Sequence, residues 1–258
     1  MRVAVLLFPG MNCENESARA LASVGVEAEI VRSNEPASRL DPFDGYLLPG
    51  GFSYEDRIRA GVVAANAPVM EAVARAAEAG RPVAGICNGA QVLLECGLAP
   101  GLHPGRVEMA LALNDSGKRV GYYCDWRWLT GSLFPDPVPL PFAHAEGRFV
   151  TSDPAVAEEV KARHLVVARY CDRGGRPDPG WPVNPNGAWE GTAALRSASG
   201  NVLAIMPHPE RANWAWQVPL EVGAPWAEAK RRDRFPDAPG PGRRFFEAFA
   251  DTLRGALA

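Results

Sequence analysis

The sequence has little excess charge of either sign and very few lysines. Its 27 lysine and arginine residues nearly balance 30 aspartate and glutamate residues, giving a formal net charge of −3. This balance gives no indication of a nucleic-acid-binding surface. Only Lys118, Lys161 and Lys230 are lysines, and none ends the glycine-rich motif of a phosphate-binding P-loop. We therefore expect no ATP chemistry in this chain.

Long apolar runs and patterned cysteines are also missing. No stretch approaches the roughly 20 apolar residues of a membrane-spanning helix. The apolar start is too short for the core of a signal peptide and meets Pro9 and Gly10 at once, so it predicts a buried strand. The five cysteines, at 13, 87, 96, 124 and 171, show neither close pairing nor metal-ligand spacing. We expect a reducing cytoplasm and no metal site.

Strands and helices alternate through the first hundred residues. The predicted strands are Arg2–Phe8, Val26–Val31, Gly45–Leu48 and Val83–Ile86, and the predicted helices are Glu14–Val24, Pro68–Ala79 and Gly89–Cys96. Asn12 is the candidate N-cap of the first helix and Gly25 its stop. Such alternation favours an α/β fold, with a mostly parallel sheet and helices on both faces.

The rest of the chain predicts additions to that sheet. Residues 106–195 are more strand-like, with breaks rich in proline and glycine, and we expect antiparallel strands there. A closing helix over Arg243–Leu253 places Phe245, Phe246 and Phe249 on one face, which is typical of core packing. Without repeats or a linker, residues 1–258 are predicted to form a single domain.

Cys87 lies between the last of these early strands and the following helix. Gly85 and Gly89 flank it at two residues on either side, which relieves crowding at a sharp strand-to-helix turn. Such a turn leaves the thiol exposed, near helix N–H groups that favour a thiolate. Free cysteines after apolar strands are usually inert and buried. The paired glycines instead favour a nucleophile that transfers acyl groups through a thioester.

His208 is the candidate base for this nucleophile. It follows another apolar strand and stands between Pro207 and Pro209, which restrict the backbone on both sides. Glu210 lies two residues on, and in an extended stretch this spacing puts both side chains on one face. The carboxylate can then hold the imidazole tautomer. The alternative is a rigid loop with an exposed ion pair.

An oxyanion site is predicted after the third strand. Gly50 and Gly51 follow Pro49, and such a pair can present a backbone N–H with no side chain in the way. The Gly51 N–H and the Asn88 N–H, directly after Cys87, are the candidate donors. Most Pro-Gly-Gly turns are only turns, so this motif is weak by itself.

Together these segments resemble the class I, or triad, glutamine amidotransferases. Further segments are similar to the glutaminase subunits of phosphoribosylformylglycinamidine synthase. They are Phe8-Pro-Gly-Met-Asn-Cys13, Gly50-Gly-Phe-Ser-Tyr54, Ala60-Gly61, Cys87-Asn-Gly89, Ala143-His-Ala-Glu-Gly147 and Met206-Pro-His-Pro-Glu-Arg211. The resemblance spans residues 2 to about 211 and implies the three-layer, flavodoxin-like fold of that family, with added antiparallel strands.

The resemblance implies a role for each matching residue. Cys87 matches the family nucleophile, His208 the base and Glu210 its partner, while Gly51 and Asn88 match the oxyanion donors. The candidate glutamine-binding residues are Gly50, Gln91, His144 and Glu146. His144 is equally well interpreted as a structural loop residue.

The resemblance also implies partners. Family members deliver ammonia to a separate ATP-dependent, PurL-like synthetase subunit, and a small PurS-like subunit can accompany them. No cofactor is expected in this chain, and ATP and magnesium are expected in the partner. No nucleic-acid or membrane partner is expected.

Three departures and two alternatives accompany this interpretation. Glu55 stands where the family commonly has glycine, Ala90 where it has a large aromatic residue, and 213–242 has no counterpart in short members. One alternative is a stand-alone Cys-His-Glu hydrolase, such as a γ-glutamyl hydrolase or peptidase. The other is a non-catalytic glutamine-sensing module.

Overall fold

A nine-stranded mixed sheet forms the centre of the computed structural model, which describes residues 1–223, 225, 226, 228 and 238–257. The strands, in chain order, are β1 Arg2–Leu7, β2 Glu27–Arg32, β3 Gly45–Leu48, β4 Val83–Ile86, β5 Ala110–Leu113, β6 Tyr123–Thr130, β7 Val138–His144, β8 Glu146–Val150, β9 Val166–Cys171, β10 Thr192–Arg196 and β11 Val202–Ile205. The main sheet has the order β2-β1-β3-β4-β11-β10-β9-β6-β7.

The sheet divides into a parallel and an antiparallel half. Strands β2, β1, β3, β4 and β11 run parallel, whereas β10, β9, β6 and β7 pair antiparallel. A separate antiparallel pair joins β5 to β8. The predicted antiparallel additions are therefore confirmed. The parallel half brings the ends of β3, β4 and β11 side by side, which is where ligand sites form in such sheets.

Helices cover both faces of the sheet. They are α1 Glu14–Ser23, α2 Val62–Ala65, α3 Pro68–Glu78, α4 Asn88–Glu95, α5 Pro154–Ala162 and α6 Arg243–Ala256. Alternate residues of β1 enter two different cores. Val3 and Val5 join the cluster that contains Leu21 and the α6 phenylalanines, while Leu6 joins the cluster with Val73 of α3. This alternation confirms the three-layer α/β prediction.

Most sequence-predicted elements agree with the structure to within a few residues. The α6 stripe of Phe245, Phe246 and Phe249 is buried, as predicted. Two details were wrong. The N-cap of α1 is Cys13 rather than Asn12, and helix α5 lies within the region expected to be strand-like. Asp153 caps α5 by accepting a hydrogen bond from the Ala155 N–H at 2.9 Å.

The segment 213–242 lies partly outside the described residues, yet its described ends pack beside the predicted catalytic loop. Trp214 bridges to Pro239, and Gln217 Nε2 donates to the Glu210 carbonyl at 3.1 Å. In the described part of the chain, none of the helices has the length and apolar composition needed to span a bilayer. That all 258 residues form one domain stays a prediction.

Candidate active site

Cys87 occupies a strained turn between β4 and α4. Its backbone angles are φ 51° and ψ −107°, a region that residues with side chains seldom adopt. A Cβ atom on Gly85 would lie 2.6 Å from the Gly89 carbonyl carbon, and one on Gly89 would lie 2.0 Å from the Leu48 oxygen. Both positions therefore need glycine, and the strand–turn–helix elbow is as predicted.

The Cys87 thiol is not exposed, contrary to expectation. The residue is only 4 % exposed, because β7 crosses above the elbow and the Ala143 carbonyl lies 3.9 Å from the sulfur. Cys87 instead lines two cavities that meet at the elbow. A substrate must reach the sulfur through one of them.

His208 and Glu210 form a buried pair beside Cys87. His208 Nδ1 and Glu210 Oε1 are 2.6 Å apart, and the His208 backbone N–H donates to the Pro141 carbonyl at 2.8 Å. The predicted extended stretch is wrong, since Pro209–Ala212 forms a 3₁₀ turn. The turn begins at Pro209, whose fixed φ suits a first helical position. It is this turn that brings the carboxylate to Nδ1.

The surroundings of His208 favour its charged form. Burial disfavours an imidazolium and by itself lowers the pKa of His208, but Glu210, Cys87 and Cys13 raise this pKa by more. The net pKa of His208 therefore lies well above its ordinary value. Since Glu210 occupies Nδ1, Nε2 is the nitrogen available to Cys87. This is the arrangement that a thiolate–imidazolium pair requires.

Two backbone N–H groups flank the thiol. Gly51 has φ 145°, and a Cβ there would lie 2.4 Å from Met11 Cα. Neighbouring hydrogen bonds hold this peptide, with Asn12 N–H donating to the Gly50 carbonyl at 3.3 Å and Phe52 N–H to the Gly10 carbonyl at 3.0 Å.

Both predicted oxyanion donors are available. Within residues 1–223 and the other described positions, the N–H groups of Gly51 and Asn88 donate no hydrogen bond. Asn88 is the first residue of α4, where N–H groups lack an intrahelical acceptor.

The Asn88 side chain joins the elbow to the following loop. It accepts a hydrogen bond from the Ser53 N–H at 2.9 Å and donates to Asp56 Oδ1 at 3.0 Å and to Gln91 Oε1 at 2.8 Å. The sequence indicated Asn88 only for its backbone N–H. Its amide also orients Asp56 and Gln91 beside Cys87.

A small cavity beside Cys87 contains most of the predicted glutamine-binding residues. Gln91, His144 and Glu146 line it, together with Gly51 and Asp56. Gln91 Nε2 donates to the Glu146 carbonyl at 2.5 Å, and Glu146 Oε2 accepts from the Ala60 N–H at 3.1 Å. Gly50 lies elsewhere. A Cβ on Gly50 would sit 2.7 Å from the His208 ring, so this glycine makes room for the histidine.

His144 is buried and oriented by Asn114. Asn114 Nδ2 lies 3.1 Å from His144 Nδ1, and Asn114 Oδ1 accepts from the Gly147 N–H at 3.0 Å. The same amide nitrogen also donates to the Gly121 carbonyl at 3.1 Å and to the His144 carbonyl at 2.7 Å, so its two N–H groups serve three acceptors around the ring. Burial and the nearby His208 lower the pKa of His144 to about 3, so the ring is neutral near pH 7. Among the described residues Nε2 has no partner, which leaves this ring nitrogen free for a ligand in the cavity.

Asp56 is a site residue that the sequence analysis did not single out. Burial and the charge of Glu146 raise its pKa to about 6, against the opposing hydrogen bond from Asn88. Its carboxylate and that of Glu146 face one cavity, which concentrates negative charge there. Asp56 directly follows Glu55 in the sequence, but only the fold shows that it faces Glu146.

The departures from the family affect the site indirectly. The Glu55 side chain points to solvent and pairs with Arg57 at 2.9 Å, so its charge is not directed at Cys87. Its backbone has φ 60°, a conformation that glycine adopts at lower cost. Ala90 is fully buried in the core below the elbow.

Comparison with known proteins agrees with this geometry. The model of the CobB/CobQ-like glutamine amidotransferase domain matches residues 1–247. The chain is 42 % identical over 265 residues to phosphoribosylformylglycinamidine synthase subunit PurQ of Methanothrix thermoacetophila, covering 96 % of each chain. It is 44 % identical over 215 residues to the protein of the same name from Thermus thermophilus, covering 82 % of this chain and 90 % of the other.

Solved structures show the same fold. A chain of the PurLQS structure from Thermotoga maritima superposes with a TM-score of 0.70 at 30 % identity, with 98 % of each chain covered. A GMP synthase-like protein from Thermoplasma acidophilum gives a TM-score of 0.57 at 15 % identity, covering 100 % of this chain and 96 % of the other, which is a likeness of fold alone. The chain belongs to the CobB/CobQ-like glutamine amidotransferase family.

Proposed function

We propose that this chain is the glutaminase subunit of phosphoribosylformylglycinamidine synthase, an enzyme of purine biosynthesis. The observation that carries the proposal is Cys87 on a strained elbow beside the buried pair of His208 and Glu210, in a fold shared with named PurQ proteins. The chemistry of this site is the release of ammonia from the side-chain amide of glutamine.

The first step is attack of the Cys87 thiolate on the glutamine amide carbon. A carbon–sulfur bond forms, and the carbonyl oxygen becomes an oxyanion between the N–H groups of Gly51 and Asn88. His208, as imidazolium, gives its proton to the amide nitrogen, and the carbon–nitrogen bond breaks to release ammonia. Glu210 stabilises the imidazolium throughout.

The second step is hydrolysis of the γ-glutamyl thioester. Neutral His208 removes a proton from water, the resulting hydroxide attacks the thioester carbon, and the same oxyanion donors are used again. Collapse of this intermediate breaks the carbon–sulfur bond and yields glutamate and the Cys87 thiolate. The histidine is left protonated, ready for another substrate.

The negative charge in the small cavity suits the α-ammonium group of free glutamine. We assign the carboxylates of Asp56 and Glu146 to the α-ammonium group of glutamine, since two acids in one partly buried cavity favour a cation. Nε2 of the neutral His144 and the Gln91 amide are the candidate partners of the polar groups of the substrate.

Asp56→Asn should raise the KM for glutamine about 10- to 100-fold, because a charged hydrogen bond contributes about 1.5–3 kcal/mol. In the unchanged protein, KM should rise as the pH falls below about 6, where Asp56 becomes protonated. The variant should lose this pH dependence. Steady-state glutamate release between pH 5 and 8 measures both effects.

Glu55→Gln is the matched control for Asp56→Asn, since it removes a neighbouring but solvent-facing carboxylate. Its KM should stay within about twofold of the unchanged protein, as for other surface substitutions.

Since the folded-state pKa of Asp56 is raised, the stability that Asp56 contributes is present below its unfolded pKa and is lost as the pH rises through about 6. Asp56→Asn should therefore fold normally at neutral pH. An unchanged KM would remove Asp56 from the ammonium site.

The ammonia has to be used by another polypeptide. We assign the ATP-dependent amidation to a PurL-like synthetase, with ATP and magnesium bound there, and expect a small PurS-like protein to be the third component. We also propose a cytoplasmic location, and no metal or cofactor in this chain. The near-neutral charge, the few lysines and the lack of a P-loop motif support this division.

A reconstitution experiment tests the proposed function. The chain is combined with a PurL-like and a PurS-like subunit, and formation of the amidine is followed with glutamine as the nitrogen source. We expect amidine formation to depend on this chain with glutamine and to become independent of it with ammonium chloride. A stand-alone hydrolase would release glutamate without supporting amidine formation, and a sensing module would do neither.

A further inference from the structure

A second buried cysteine lies against the catalytic histidine. The Cys13 sulfur, a His208 ring nitrogen and a Glu210 carboxylate oxygen all lie within 4.8 Å of one another. Cys13 is 1 % exposed and stands at the N-cap of α1, on a different element from either partner. Gly50 has no side chain, and this lets the Cys13 sulfur lie close to the His208 ring. A Cβ on Gly50 would lie 3.3 Å from the Cys13 sulfur and 3.2 Å from His208 Nδ1.

Hydrogen bonds hold the Cys13 sulfur on two sides. Arg211 Nη2 donates to it at 3.1 Å, and its own S–H donates to Asn12 Oδ1 at 3.3 Å. Since the guanidinium is always charged and has only donors, the sulfur accepts from Arg211 and presents electron density beside the ring. A fixed positive charge so close also disfavours a metal ion among Cys13, His208 and Glu210.

Two carboxylates also lie within reach of Arg211. Its Nε lies 3.9 Å from Glu210 Oε1 and its Nη2 lies 4.0 Å from Glu16 Oε1. Among the described residues Glu210 Oε2 is buried and has no partner. Arg211 already pairs with Glu210 at 3.9 Å, and its shorter bond to Cys13 directs Nη2 to the sulfur and limits a closer approach to the carboxylate that orients His208.

We infer that Cys13 is a positioning residue for His208, which it serves by packing against the imidazole edge and by limiting how closely Arg211 approaches Glu210. The inference rests on the proposed glutaminase chemistry, in which the imidazolium gives a proton to the leaving nitrogen. Cys13 lines the larger cavity at Cys87 but not the small cavity with Gln91 and Glu146, to which glutamine binding is assigned. Its effect should therefore fall on turnover and leave glutamine binding unchanged.

The charge on His208 depends on groups from several elements. Those that face it are Cys13 from α1, Cys87 from the elbow, Glu210 and Arg211 from its own turn, His144 from β7 and Tyr122 before β6. Burial lowers the pKa of His208, and Glu210, Cys87 and Cys13 raise it. Loss of the Cys13 contact should lower the pKa of His208, and a guanidinium moved onto Glu210 should lower it further.

The test uses Cys13→Ala and Cys13→Ser in the reconstituted complex. For Cys13→Ala we expect kcat to fall about 10-fold, the rate equivalent of one lost hydrogen bond, with KM for glutamine unchanged. The loss of activity on the alkaline side should begin at a lower pH, because His208 loses its proton earlier. Cys13→Ser keeps an acceptor for Arg211 and should recover most of the activity.

Cys96→Ala is the control, since Cys96 also donates a hydrogen bond through its S–H, to the Ala65 carbonyl at 3.5 Å, but lies at the far end of α4. Imidazole NMR of the four histidines follows His208 directly, with His208→Gln assigning its signal. A lower melting temperature with an unchanged His208 titration would overturn the inference, because it would make Cys13 merely structural. So would a changed KM with unchanged kcat.

The two proposals fail separately. If the unchanged complex produced no amidine from glutamine, the proposed function would be wrong, while the His208 titration would still report the Cys13 contact. If amidine formed normally and Cys13→Ala matched the unchanged protein in kcat and in the His208 titration, only the positioning role would be lost.

Discussion

Replacing Cys87 with serine should reduce glutamine hydrolysis by at least about 10⁴-fold, a loss of the size seen when a catalytic triad loses its nucleophile. Serine is nearly isosteric with cysteine, but a site that pairs a thiolate with an imidazolium does not deprotonate a hydroxyl. Burial lowers the pKa of His208, but Glu210 and the nearby thiols raise it by more, so the ring stays mostly protonated and cannot act as a base toward an alcohol. Glutamate release and circular dichroism, measured together, separate lost chemistry from lost folding.

Labelling identifies the reactive cysteine independently of turnover. A diazoketone analogue of glutamine should modify Cys87 alone, since of the five free cysteines only this one combines an elbow with both cavities. Cys13 is the most demanding comparison because it lies near the same histidine. Equal labelling at Cys13 and Cys124, or retained activity in Cys87→Ser, would contradict the proposed triad.

The elements that could be predicted from sequence were those defined locally. Strands Gly45–Leu48 and Val83–Ile86 were predicted to the residue, because short apolar runs between glycine and proline leave few alternatives. Helix α5 was missed. Only Val156 and Val160 of that helix are buried, so its apolar pattern is weak. The capping sequence Asp153-Pro154 was the available signal.

The site residues also fall into two groups, those that local motifs predict and those that only long-range contacts define. Cys87, His208 and Glu210 stand in short motifs whose neighbours already indicate their chemistry. Asp56 and Asn114 act through partners 32 and 30 positions away, Asn88 and His144, and no local pattern records such contacts. The exposed thiol was wrong for the same reason, since β7 comes from far along the chain to cover the elbow.

The isolated chain should be a poor glutaminase, and the assembled synthetase should raise its turnover about 10²–10³-fold. This is the loss in kcat that removal of one oxyanion donor causes. The reason lies in the loop that carries Gly51. Tyr54, Glu55, Asp56 and Ile58 all have positive φ between 51° and 74°, and each such residue costs of order 1 kcal/mol. Strain of this size reduces the free-energy difference between this loop conformation and the alternatives.

A few contacts tether this strained loop. Tyr54 N–H donates to the Pro9 carbonyl at 2.7 Å, and Ser53 N–H donates to Asn88 Oδ1 at 2.9 Å. The exposed Phe52 and Ile58 lie on the same segment, where a partner can reach them. A partner that pushes on this segment can therefore rotate the Gly51 peptide toward or away from the oxyanion.

Glu55→Gly tests the loop without touching Cys87. Glycine removes the strain at φ 60°, which should stabilise the fold by about 1 kcal/mol. Basal glutaminase activity should then change severalfold, while the affinity for the synthetase stays within about twofold. Glu55→Ala is the matched control, because it removes the same charge and the pair with Arg57 but keeps the strain. Only the glycine variant should alter basal activity.

Glutamate release with and without the synthetase, its ATP and its amide acceptor decides whether the two sites are coupled. An uncoupled glutaminase would consume glutamine and lose ammonia to protonation in bulk water, so low basal activity is the chemical expectation. Full activity of the lone chain, unchanged by the partner, would refute the coupling and favour a stand-alone hydrolase. Activation by the partner with equal responses from Glu55→Gly and Glu55→Ala would keep the coupling but place its origin outside the strained loop, because removing the strain would then have made no difference.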